Sequence, residues 1–158
     1  MSDKVKLLDA NMKVQPGNWD KCYDLFLGQA GRAAEQALPS EMAEEISAFA
    51  GKETYHALLL RNFPLSFARL ESTPSANTQY PVKGDQVAET LLMGIAWMLE
   101  GEPYIDPNEE APFFIQQIVP MVARQAEQSS LGYPYPLGLS THGVHERQAP
   151  DVVLSLCM

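Results

Sequence analysis

At 158 residues, with 46% hydrophobic and 20% charged side chains, the chain is long enough for one domain with a real core and has an ordinary globular composition. Its net charge of −9, with no local cluster of lysine or arginine, argues against a partner recognised through a nucleic-acid backbone. No apolar run is long enough to span a bilayer, residues 1–4 lack the apolar stretch of a secretory signal, and Cys22 and Cys157 show no framework spacing, so a cytoplasmic setting is expected.

The first elements are read from periodicity. Residues 4–8 alternate apolar and basic side chains, a weak edge-strand signal, and 14–18 carry turn residues. From Trp19 the apolar positions Cys22, Tyr23, Phe26, Leu27 and Ala30 recur at helical spacing, and the helix either continues or restarts through Ala33, Ala34, Ala37 and Leu38 before a break at Pro39. Ser40 is expected to cap the next helix, with Glu41, Glu44 and Glu45 near its positive end. Met42, Ile46 and Phe49 form the buried face, and Gly51 the stop. Residues 55–61 are apolar and precede Asn-Phe-Pro, which reads as a buried strand, with His56 as a hydrogen-bonded core histidine.

Residues 66–80, rich in Ser, Thr, Pro and Asn, read as a long loop, expected to be mobile. The clearest helix follows: Asp85 as cap, Val87, Leu91, Ile95 and Met98 as its face, and Gly101 with Pro103 as stop signals. Residues 113–119 read as a second strand, 129–138 as a Gly/Pro-rich loop, and 151–158 as a closing strand whose two faces both expect cover. With no repeat and no dividing linker, residues 1–158 are expected to form a single α/β domain with helices packed on a sheet.

Chemical potential concentrates in the last thirty residues. His142, His145 and Glu146 supply the imidazole and carboxylate donors used by Zn, Fe or Ni sites, although the spacing matches no standard zinc-hydrolase motif. Taken alone, the same residues read first as exposed loop histidines, with the metal site as the alternative. Ser129 and Ser130, ahead of Gly132, are loop candidates for an anion, but no lysine and no helix follow to make a phosphate loop. Cys157 reads as a small buried hydrophobe.

The blocks LLLRNFP (58–64), MLEGEPY (98–104), FIQQIVP (114–120) and QSSLGYPYPLGLSTHGVHERQAPDVVLSLC (128–157) occur in an order that resembles the clavaminate synthase-like branch of the Fe(II)/2-oxoglutarate-dependent oxygenases, relatives of taurine dioxygenase that include amino-acid hydroxylases. The resemblance covers most of the chain from about residue 55 onward. It implies the first half of a jelly-roll fold, a mainly antiparallel sheet carrying helices. The iron-binding His and Glu of the family's H-T-E triplet fall on Ser140 and His142, so the iron motif is degenerate. A rival alignment keeps His142 as the iron histidine and sets Val144 at the carboxylate position, where halogenating relatives tolerate a non-acid. Family members continue well beyond this length to the distal iron histidine and the arginine that pairs with 2-oxoglutarate.

The resemblance therefore implies a truncated relative that does not turn over 2-oxoglutarate alone: a binding or partner protein, or one with an iron-independent activity, in specialised peptide or amino-acid-derived metabolism, with an amino-acid-like small molecule as the expected ligand. The alternative is one half of a split hydroxylase completed by another chain. The apolar run 151–158 is the expected edge for a homodimer or hetero-oligomer.

Overall fold

The computed structural model describes residues 23–51, 56–63, 87–102, 104, 114–115, 122 and 150–157. Three helices organise them: α1 (Tyr23–Ala37), α2 (Ser40–Ala50) and α3 (Val87–Met98).

Helix α1 draws its propensity from its alanines, leucines, glutamines, Arg32 and Glu35, against two glycines, and the alanines serve a second purpose. Phe26, Ala30, Ala33, Ala34 and Ala37 are buried at helical spacing, as the periodicity predicts, while Arg32, Glu35 and Gln36 are exposed. The helix stops where expected. The Leu38 amide still donates to the Ala34 carbonyl at 2.8 Å, and Pro39 then turns the chain extended, at φ −60 and ψ 146.

The start of α2 differs from expectation. The capping position is Pro39, not Ser40, which is already helical. Proline has no side-chain acceptor to offer, so no side chain caps the helix, and the Pro39 carbonyl accepts the first helical bonds from the amides of Met42 and Ala43, both at 3.1 Å. Glu41 in the first turn complements the positive end of the helix. Ile46 is fully buried and Met42 and Phe49 partly so, which is the face read from the sequence. Gly51 does end the helix, but at φ −95, without the left-handed conformation usual for a terminal glycine.

Helix α3 is enclosed on more than one face. Besides Val87, Leu91 and Ile95, the side chains of Ala88, Glu89, Thr90 and Met93 are buried, while Met98 is only half-buried. Its termination is also shifted by one residue. The Gly101 amide donates to Ala96 at 3.1 Å and the Glu100 amide to Trp97 at 3.0 Å, the paired bonds of a Schellman motif. The left-handed residue that this motif requires is Glu100, at φ 54, and Gly101 merely follows it.

Helices α1 and α3 cross at small residues. A Cβ on Gly94 of α3 would collide with the Cβ of Ala34 and lie 2.9 Å from the Ala30 carbonyl oxygen. Such close approach lets the two backbones themselves pack, at a density only small side chains allow. Around this crossing Ala34, Leu38, Ile46, Leu91 and Ile95 form one apolar cluster, joining all three helices. Phe26, Ala30 and Met93 form a second, with Ile115 packed against it.

The expected α/β architecture is not found: the described residues contain no strand, and the sheet of a half jelly roll is absent among them. Two of the expected strands are irregular segments that use side chains, not backbone pairing, to reach the core. In 56–63, Leu60 and Phe63 pack on the three-helix cluster, and Asn62, at φ 64, turns the backbone out of any extended path. In 150–157, Leu154 and Leu156 pack on the same cluster, whereas Val153, Ser155 and Cys157 are exposed. Its second face is therefore uncovered, against expectation. A period-two pattern suits any extended chain lying on an apolar surface, and only a hydrogen-bonded neighbour makes it a strand. Of 113–119 only Phe114 and Ile115 are described, in a bend, and 4–8, 66–80 and Asp85 lie outside the described residues.

Candidate functional site

The residues singled out for chemistry, Ser129, Ser130, Ser140, His142, His145 and Glu146, all lie outside the described residues. The other two candidates for reactive or titratable roles are placed, and both depart from expectation. His56 is exposed, not a core histidine, because the segment carrying it meets the helices through Leu60 and Phe63 further along. Cys157 is likewise exposed as a free thiol, since Leu154 and Leu156 take the inward positions of its segment.

The described core contains polar groups that periodicity does not single out. Glu89 and Thr90, adjacent on α3, are 2% and 0% exposed. Enclosing a carboxyl group and a hydroxyl is costly unless their surroundings replace water. On α1, Gln29 has its Oε1 buried with no hydrogen-bond partner. A face-by-face reading of α3 places Val87, Leu91, Ile95 and Met98 inward and does not enclose Glu89 or Thr90. The available signal is composition: Glu89 is the only charged residue in the sequence VAETLLMGIAWM, and a helix apolar on every side is an enclosed helix.

Among the described residues, no three His, Cys, Asp or Glu side chains gather into a group able to hold a metal ion. Nor is any described helix long and apolar enough to cross a membrane. No protein-family model, curated protein or solved structure matches this chain.

Proposed function

We propose that this chain acts as a binding or partner protein in the cytoplasm, beside a pathway that modifies amino acids, and not as an autonomous oxygenase. The observation that carries this reading is Ser140-Thr141-His142, which stands where the resembled oxygenases have the His and Glu that hold iron. A serine hydroxyl is a poor substitute for neutral imidazole at Fe(II), and a histidine in place of the carboxylate changes both the charge and the geometry of the site. The purified chain is expected to form no succinate from 2-oxoglutarate with Fe(II) supplied. Iron-dependent succinate formation that is lost in His142→Ala overturns the reading. If turnover appears only when a second polypeptide is added, the split-hydroxylase alternative is favoured.

Any divalent metal that the chain does bind is expected at His142, His145 and Glu146, with Zn or Ni held at least as well as Fe(II). Ligation needs neutral imidazole, whose ordinary pKa is ~6.5, so occupancy falls as pH drops below about 6. Equal metal content in the chain and in a His142→Ala/His145→Ala double variant, measured by elemental analysis, rules this site out.

The proposed association is with a second copy, through the outward side of 150–157. There Val153 is 73% exposed beside Ser155 and Cys157, and the run from Val152 onward carries no lysine or proline to discourage association.

A further inference from the structure

We draw no further inference here: the strongest candidate, the exposed apolar pair Leu58 and Leu59 on the irregular segment 56–63 beside the three-helix cluster, is an unpartnered apolar patch, and nothing in the structure shows what covers it.

Discussion

Gly31 of α1 lies directly beneath the indole of Trp97 on α3. A Cβ added there would stand 2.5, 2.6 and 2.8 Å from Cγ, Cδ1 and Cδ2 of the ring. These atoms sit at the base of the indole, not at a flexible tip, so the ring can yield only by turning as a whole about its own Cα–Cβ bond. The absence of a side chain at position 31 thus determines where the half-exposed Trp97 rests.

Gly31→Ala is therefore expected to drive Trp97 off α1 and into solvent. In a Trp19→Phe background, which leaves Trp97 as the sole tryptophan, the emission maximum should move to longer wavelength. An unchanged spectrum with unchanged thermal stability would mean that the indole does not rest on this glycine.

Two further glycines should respond in opposite directions to the same substitution. Alanine favours a helix interior over glycine by about 1 kcal/mol. A methyl group on Gly28 of α1 would meet nothing within 4 Å, so Gly28→Ala should realise that gain. Gly94 faces Ala34 and the Ala30 carbonyl, a backbone group that cannot swing aside, so overpacking of about 1–3 kcal/mol should outweigh propensity. Urea midpoints are expected to rise for Gly28→Ala and fall for Gly94→Ala. A rise for both would show that the two helices do not cross so closely.

Glu100 holds the left-handed position of the α3 terminus at φ 54, where a Cβ costs about 1–2 kcal/mol and glycine has no such penalty. Glu100→Gly should raise the unfolding free energy by about 1 kcal/mol with an unchanged denaturant slope. Glu100→Ala, which keeps the Cβ, should give no comparable gain. Equal effects from the two variants would point to the charge instead of the backbone.

The segment 150–157 offers a test that separates folding from association. Leu154 packs on the three-helix cluster, so Leu154→Ala should lower stability, toward the ~2 kcal/mol end of large-to-small core substitutions because the side chain is only half-buried. Val153, 73% exposed, should accept lysine within about 0.5 kcal/mol. If the segment joins two copies, Val153→Lys converts dimer to monomer in light scattering. A mass near 17.5 kDa for the unsubstituted chain at micromolar concentration removes the dimer altogether.

What the sequence by itself determined are the described helices and the break at Pro39, while the capping residues at the start of α2 and the end of α3 fell one position away from the expected ones. The stripe from Phe26 to Leu38, the interruption at Pro39, the buried Ile46 and the face of Val87, Leu91 and Ile95 all follow from local spacing, because a helix satisfies its backbone within its own segment. Tertiary structure decided how the irregular segments lie against them. Residues 57–60 and 152–157 have the composition of strands, but a strand exists only with a neighbour to pair with, and here both segments lie on helices through Leu60 and Phe63 or Leu154 and Leu156. The same dependence on surroundings applies to the candidate chemistry. Exposure of His56 and Cys157 and enclosure of Glu89 and Thr90 depend on what packs around each residue, while the pattern His142-Gly-Val-His145-Glu146 is legible only as a set of donor types. Spacing along the chain encodes which side chains share a face of a helix; what that face meets is decided by elements distant in sequence, through close approaches such as Gly94 on Ala34.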